Sequence, residues 1–185
     1  ALDTGLPMGT TQVSQSDPNT LFSLQSANAN NALLLDSEHT SGTLTLTDPG
    51  RYKSLSFFGS TGNGNNGVAY LLHFADGSQK LGAALFADWY YNGPVAYAAN
   101  GRINDSGYES VYDYYPAIYQ VDIGAISSNS ELISIDFAYG FGGGHTGIFG
   151  VSGAAVPEPS SMAMLSLGGI LLVSGRLLLR HRRKA

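Results

Sequence analysis

The chain has 185 residues, a formal net charge of −5, no cysteine and 12% charged residues, compared with about 25% in an average soluble domain. The lack of cysteine excludes a disulfide framework, a thiolate zinc site, an iron–sulfur cluster and a cysteine nucleophile. Residues 1–155 hold 13 Asp and Glu against four Lys and Arg, a net of −9. An acidic body has no basic face for phosphate, so we expect no nucleic acid partner.

Strand patterns repeat at short spacing along residues 1–153, and a helical period is almost absent. Strict alternation of apolar and polar residues predicts half-buried strands at 43–47, 53–57 and 132–139. In the last of these, the alternation places Leu132 and Ser134 on one face and Ile133 and Ile135 on the other. The complete set of predicted strands is 21–25, 32–35, 43–47, 53–57, 68–75, 81–86, 94–98, 118–123, 132–139 and 147–152.

Turn signals separate these strands and no crossover helix does. Asp76-Gly77 predicts a type I′ hairpin turn, with positive φ at both residues, and Asp48-Pro49-Gly50 and 63–67 also read as turns. Strands joined by turns favour antiparallel sheets. We therefore predict an all-β fold, an antiparallel β-sandwich of jelly-roll-like topology, with a closed barrel as the alternative.

Residues that carry catalysis are sparse. None of the four histidines has a partner at metal-ligand spacing on one face, and His73 reads as a satisfied core or pleat residue. The glycine-rich segment 141–147 lacks the Lys-Ser/Thr of a phosphate loop and favours a flexible hairpin. Glu109 and Asp113 are the weak indication of a glycosidase. We predict a protein that is not an enzyme, with no metal and no cofactor.

Aromatic side chains cluster in two predicted loops, 88–92 and 108–115. Rings with an apolar face and a polar edge stack well on sugars, so one hypothesis is carbohydrate binding. The other interpretation is that these rings plug the ends of the sandwich. The candidate carbohydrate-binding residues are Trp89, Tyr90, Tyr91, Tyr112 and Tyr114.

The last thirty residues differ from the body. Residues 160–179 are largely apolar and carry Arg176 as their only charge, and about twenty such residues suffice to cross a hydrocarbon core. We predict a transmembrane helix at 162–179, because a buried soluble helix would be neither apolar all round nor followed by like charges. The positive-inside bias places the basic tail, 180–185, in the cytoplasm. Its basic stop consists of Arg180, Arg182, Arg183 and Lys184.

Pro157, Glu158 and Pro159 precede the predicted span and favour an extended backbone that a processing enzyme can bind. This Pro-Glu-Pro element, one span and a basic cluster together resemble the PEP-CTERM sorting signal of bacterial exported proteins. The resemblance implies recognition of Pro157, Glu158 and Pro159 by an exosortase, a membrane-embedded cysteine transpeptidase. It also implies transient anchoring in the inner membrane, followed by residence at the cell surface or in an extracellular polysaccharide matrix.

The body has a resemblance of its own. Segments 74–78, 88–89, 101–102 and 148–152 look like parts of the β-sandwich modules found upstream of such tails. This likeness supports the sandwich and assigns no ligand. The chain begins Ala1-Leu2-Asp3 without Met, so we expect a processed or trimmed sequence.

The predicted organisation is an extracytoplasmic β-sandwich at 1–153, a sorting linker at 154–161, the span at 162–179 and the basic tail at 180–185. The predicted function is that of a noncatalytic surface or matrix protein, sorted and cleaved by an exosortase and associated with exopolysaccharide or biofilm. Two alternatives stay open. One is a carbohydrate-binding module that uses the aromatic loops, with extracellular polysaccharide as its partner. The other is an envelope protein anchored permanently in the membrane.

Overall fold

A computed structural model describes residues 6–7, 9–90, 93–103, 109–110, 116–126 and 128–156, with the backbone alone for 102–103 and 109–110. Within these ranges every regular element is a β-strand, and every pair of strands is antiparallel. The strands are β1 Thr11–Val13, β2 Leu21–Ser23, β3 Leu33–Leu35, β4 Ser41–Gly50, β5 Tyr52–Gly62, β6 Asn66–Phe74, β7 Gln79–Phe86, β8 Val95–Ala98, β9 Arg102–Ile103, β10 Glu109–Ser110, β11 Ala117–Ile123, β12 Leu132–Phe141 and β13 His145–Ala155. Each of the ten predicted strands overlaps one of these.

Two sheets form the body. One has five strands in the order β3-β13-β5-β11-β8, and the other has four in the order β4-β12-β6-β7. From β3 to β7 and from β11 to β13 the chain passes between the two sheets at every connection except the β6–β7 hairpin. This is the strand arrangement of a jelly roll, with β8 added at one edge. The prediction of an antiparallel all-β fold is confirmed.

The two sheets share one hydrophobic core, and Phe57 of β5 lies at its centre. Its ring is 5.1 Å from that of Phe137 and 5.5 Å from that of Tyr70, both edge to face, and it stacks at 6.3 Å on Phe86. These three partners belong to the four-stranded sheet, so Phe57 joins the two layers. Edge-to-face and offset pairs are the preferred aromatic geometries.

The outer face of the five-stranded sheet carries a second, smaller hydrophobic cluster. Phe58 points to this face because side chains alternate along a strand, and its ring lies 4.9 Å from that of Phe22. Phe22 belongs to β2, which pairs with β1 in a two-stranded ribbon. The ribbon therefore covers part of the outer face, and Phe149 of β13 packs against the same cluster.

A bulge in β12 changes the predicted faces of that strand. The register with both neighbours shifts between Leu132 and Ser134, so Leu132 is buried together with Ile135 while Ile133 is exposed. The prediction that Ile133 and Ile135 share a face was wrong, because a bulge inserts one residue and reverses the alternation beyond it.

Three predicted connections also differ in detail. Asp76-Gly77 does join β6 to β7, but only Gly77 has positive φ. The Gly77 N–H donates to the Phe74 carbonyl at 2.9 Å and the Phe74 N–H to the Ser78 carbonyl at 3.0 Å. This is a type I turn followed by a left-handed glycine, a three-residue loop in place of the predicted type I′ turn.

The other two differences concern the segments 48–50 and 141–147. The first lies inside β4, an edge strand in which proline is tolerated. The second does not form a hairpin, because β12 and β13 belong to different sheets. Gly142 has φ +121°, and a Cβ there would fall 2.2 Å from the Asn65 carbonyl oxygen, so this crossover requires glycine.

The compact body runs to Ala155, the last residue of β13, and residues 156–185 form a separate unit. Ala154 and Ala155 pair with Ser54 and Tyr52, so β13 continues two residues past the predicted boundary at 153. The predicted transmembrane helix, 162–179, lies outside the described residues. Among the residues that are described, no helix has the length and hydropathy needed to cross a membrane.

Candidate functional site

A cavity of about 350 Å³ opens on the outer face of the five-stranded sheet, next to the cluster around Phe58. Trp89, Tyr97 and Phe149 supply its aromatic lining, and the described lining residues include no Asp, Glu, Lys or Arg. Its size falls within the range of small-molecule sites, about 300–1,000 Å³. A hollow with aromatic walls and no fixed charge suits an uncharged ligand with an apolar face.

Small residues on two adjacent strands form the floor of this cavity. They are Ser60 and Gly62 of β5 and Gly147 of β13. A Cβ at Gly62 would meet no atom closer than Trp89 Cδ1, at 3.9 Å, whereas a Cβ at Gly147 would fall 2.9 Å from the Phe149 ring. Larger side chains at these positions would therefore fill the hollow or displace its walls.

Backbone hydrogen bonds hold Trp89 at the mouth of the cavity. Its N–H donates to the Thr61 carbonyl at 2.8 Å, and its carbonyl accepts from the Ala117 N–H at 3.0 Å. The loop that carries Trp89 is thus tied to β5 on one side and β11 on the other. The Tyr90 ring lies 5.4 Å from that of Trp89, edge to face.

The buried Asp88 fixes the approach to Trp89. Its N–H donates to Asn65 Oδ1 at 2.9 Å, and its carboxylate accepts the Tyr90 N–H at 3.1 Å and the Gly64 N–H. Asn63 has a φ of 67° and Gly64 one of 109°, and Asn is among the residues that tolerate the left-handed region best. The Asn-Gly pair therefore shapes the loop that receives the Asp88 carboxylate.

The rim of the cavity carries a polar group that sequence reasoning missed. His145 lines the cavity, and its Nδ1 lies 3.4 Å from Oδ2 of Asp36. Oδ1 of the same carboxylate accepts the N–H groups of Glu38 and His39 and lies 3.0 Å from Nδ1 of His39. These hydrogen bonds lower the pKa of Asp36 to about 2, and the bond from the His39 N–H has the largest effect. The Asp36-x-x-His39 spacing was the available signal, but His145 is 109 positions from Asp36.

The structure describes two of the five predicted carbohydrate-binding residues, and both lie at the cavity. Trp89 lines the cavity, and Tyr90 is half exposed beside it. Tyr91, Tyr112 and Tyr114 lie outside the described residues. Tyr97 of β8 and Phe149 of β13 complete the aromatic lining, and sequence reasoning missed both because they lie in strands rather than in tyrosine-rich loops.

A second polar cluster lies on the four-stranded sheet. His73 Nε2 is 2.7 Å from Asp136 Oδ2, and Thr43 Oγ1 donates to Asp136 Oδ1 at 2.6 Å. The bond from Thr43, followed by that from His73, lowers the pKa of Asp136. His73 is thus a satisfied pleat residue, as predicted. No group of three or more His, Cys, Asp or Glu in the described part of the chain is arranged to hold a metal ion.

A larger and more polar hollow of about 540 Å³ lies at the sandwich edge formed by β4, the end of β13 and the segment before β3. Its lining is mainly strand edge and the asparagine-rich segment 30–31, with Tyr52 as one of two aromatic residues. The aromatic cavity is the better candidate site, because three aromatic rings and His145 converge in it.

The end of the chain matches a known sorting motif. Residues 155–183 match the family model of the PEP-CTERM protein-sorting motif. The chain carries a PEP-CTERM motif. The resemblance that the sequence predicted is therefore confirmed, and no curated protein matches the chain at a significant level. A PEP-CTERM motif implies an exported surface protein with an exosortase as its processing partner.

The PEP-CTERM match begins on the last residue of β13, Ala155. Val156 is the one residue between that strand and Pro157. The predicted recognition residues Pro157, Glu158 and Pro159 lie outside the described residues. So do the basic-stop residues Arg180, Arg182, Arg183 and Lys184, and their roles stay predictions.

Proposed function

We propose that this protein is a noncatalytic exported surface or matrix protein that an exosortase sorts and cleaves at Pro157-Glu158-Pro159. The carrying observation is the PEP-CTERM match at 155–183, directly after the last strand of the body. Both sheets and the whole core precede Pro157. Cleavage at the motif therefore releases an intact sandwich.

The proposed topology assigns one role to each part of the tail. The span at 162–179 anchors the exported chain in the inner membrane until cleavage, and the basic stop keeps its end in the cytoplasm. In the sequence, a single residue, Val156, separates the end of β13 from Pro157.

The absence of catalysis is part of this proposal, and the geometry around His145 supports it. Asp36, His145 and Ser60 are the residue types of a hydrolase triad, and Ser60 and His145 line one cavity. A triad requires the serine hydroxyl to hydrogen-bond to the histidine. Within the described residues Ser60 Oγ has no hydrogen-bond partner, so His145 does not activate it in this arrangement.

We further propose that the released sandwich stays with extracellular polysaccharide at the cell surface. The aromatic cavity supports this, because its lining suits uncharged, polyhydroxylated rings. The alternative of permanent anchoring predicts a full-length protein that stays in the membrane fraction.

The test is intact mass and cell fractionation in a host with and without an exosortase. We expect the native chain to lose its carboxy-terminal span only in the host with the enzyme. A variant with alanine at positions 157, 158 and 159 should remain full-length and membrane-bound. The matched control, Pro18→Ala with Glu38→Ala, removes an exposed proline and an exposed glutamate from the body and should be cleaved like the native chain. A full-length, membrane-bound product in every case would establish permanent anchoring instead.

A further inference from the structure

Glycines on the floor of the aromatic cavity weaken the sheet that contains them. Gly62 and Gly147 lie within β5 and β13, the two adjacent strands inside the five-stranded sheet. Glycine within a strand weakens it, and it often marks a place where a ligand or another backbone approaches closely. Among the described residues, the atom nearest to a Cβ at Gly62 would be Trp89 Cδ1, at 3.9 Å, so close packing within the described structure does not account for the missing side chain.

A polar group lies on the rim of the same cavity. His145 lines the cavity, and its side chain is half exposed. Its Nδ1 atom lies 3.4 Å from Asp36 Oδ2, which leaves Nε2 as the ring nitrogen that Asp36 does not engage. A ligand hydroxyl at the rim therefore has a hydrogen-bonding group to meet.

Charge narrows the ligand class further. The described residues that line the cavity include no Asp, Glu, Lys or Arg, and residues 1–155 carry a net charge of −9. Asp36, the carboxylate beside His145 on the rim, already accepts two backbone N–H groups and lies beside His39 and His145. An ionised ligand would therefore find no free counter-charge, and an anion would also be repelled by the body. These charges favour a neutral ligand with an apolar face for the rings and a hydroxyl for His145.

We propose that this cavity binds one sugar ring of a neutral polysaccharide. The C–H face of the ring packs against Trp89, Tyr97 and Phe149, and a ring hydroxyl hydrogen-bonds to His145 Nε2 at the rim. The sheet thus binds the sugar on its outer face, at a floor of small residues that sequence reasoning did not associate with the aromatic loops. The presence of polysaccharide around the protein rests on the proposed function. The binding experiment itself does not depend on that assumption.

The chain contains a single tryptophan, and Trp89 lines the cavity. Its fluorescence therefore reports occupancy of this cavity directly. The full chain is purified in a detergent without a sugar headgroup, because a glycosidic detergent would compete for the site. It is titrated with cello-, chito-, manno- and galacto-oligosaccharides, and in a separate arm with cyclohexane, an apolar ring that does not fluoresce. We expect saturable fluorescence changes with at least one of the oligosaccharides and none with cyclohexane.

Gly62→Val fills the cavity while placing a β-branched residue in a strand, so it should retain the fold. We expect it to weaken sugar binding at least ten-fold. Gly124→Val is the matched control, because a Cβ at Gly124 would meet none of the described atoms within 4 Å. Gly124 lies outside the cavity, so this variant should bind as the native chain does. His145→Ala should weaken binding about five-fold, the worth of one net hydrogen bond.

Three results would overturn the inference. They are no response to any of the four oligosaccharides, equal binding by Gly62→Val and the native chain, or a response to cyclohexane alone. The last of these would assign an apolar ligand instead. Thermal unfolding of each variant, followed by circular dichroism, shows that it is folded. None of these results depends on cleavage by an exosortase, so failure of the sugar site and failure of sorting are separate outcomes.

Discussion

The two faces of β5 use alternate residues of one strand in opposite ways. Its inner face carries Leu55 and Phe57, which are fully buried in the core between the sheets. Its outer face starts with Phe58 under the ribbon and continues with Ser60 and Gly62, where bulk is absent and a cavity opens. The inner face has large side chains that pack in the core, whereas the outer face has small residues that border a cavity. Side-chain volume along a single strand thus separates the part that stabilises the fold from the part available to a ligand.

The largest expected effect is the removal of Phe57 from the inner face. Phe57→Ala deletes contacts with three rings of the other sheet, and we expect the free energy of unfolding to fall by about 3–5 kcal/mol. Urea unfolding of the full chain, followed by Trp89 fluorescence, measures it. A loss below about 1 kcal/mol would contradict the central position given to Phe57.

A methyl group at Gly59 tests the same face by overpacking. A Cβ at this position would fall 2.6 Å from the Phe86 ring and 2.8 Å from the Gly147 carbonyl oxygen. The backbone oxygen cannot move aside as a flexible side chain can, so we expect Gly59→Ala to destabilise the fold by about 1–3 kcal/mol. The comparison of its urea midpoint with that of the native chain is the measurement. An unchanged midpoint would show that the two strands separate at little cost.

Acid should lower the free energy of unfolding through Asp36, which lies beside the rim of the cavity on the outer face. The pKa of Asp36 is lowered to about 2 from an ordinary 3.8, so the unfolded chain binds more protons than the folded chain between these values. The stability that this carboxylate contributes is present above pH 3.8 and is lost as the pH falls toward 2. Urea midpoints measured from about pH 5 downward should fall more steeply for the native chain than for Asp36→Asn. Parallel curves would remove Asp36 as a source of this dependence.

The smallest effect is expected at Gly62 on the outer face, the counterpart of Gly59. Here a Cβ has room, and alanine reduces the entropy of the unfolded chain. We expect Gly62→Ala to raise the free energy of unfolding by about 0.4–1 kcal/mol. Thermal and urea unfolding beside Gly59→Ala form the matched pair. Destabilisation by both variants would show that the two faces of β5 do not differ in the way described above.

Much of the fold could be predicted because local patterns determine it. Alternation and turn residues locate ten strands, and the absence of a helical period excludes crossover helices. The bulge at Leu132–Ser134 could not be predicted, because the inserted residue is a further apolar residue in an unbroken alternation. The turn at Asp76-Gly77 was predicted in place but not in type, since only the backbone distinguishes a three-residue loop from a two-residue one.

The candidate site was less predictable, because it is assembled from separate strands. Trp89 stands in an aromatic loop and could be found, but Tyr97 and Phe149 become its neighbours only once β8, β11, β5 and β13 are ordered in one sheet. The available signal was glycine at strand positions, Gly62 and Gly147, which signifies a hollow only when both are known to face the same side. The PEP-CTERM motif, in contrast, is contiguous and was visible in full.

The place of β13 determines when this protein can finish folding. β13 is the last strand in the chain, yet it lies between β3 and β5, and β3 pairs with no other strand in the described structure. The contact between Asp36, which follows β3, and His145 joins residues 109 positions apart. Such long-range contacts form slowly during folding. For a chain that emerges from its amino end, the five-stranded sheet is complete only once β13 is available. The strand that completes this sheet and the sorting motif are neighbours in the sequence, so they emerge one directly after the other.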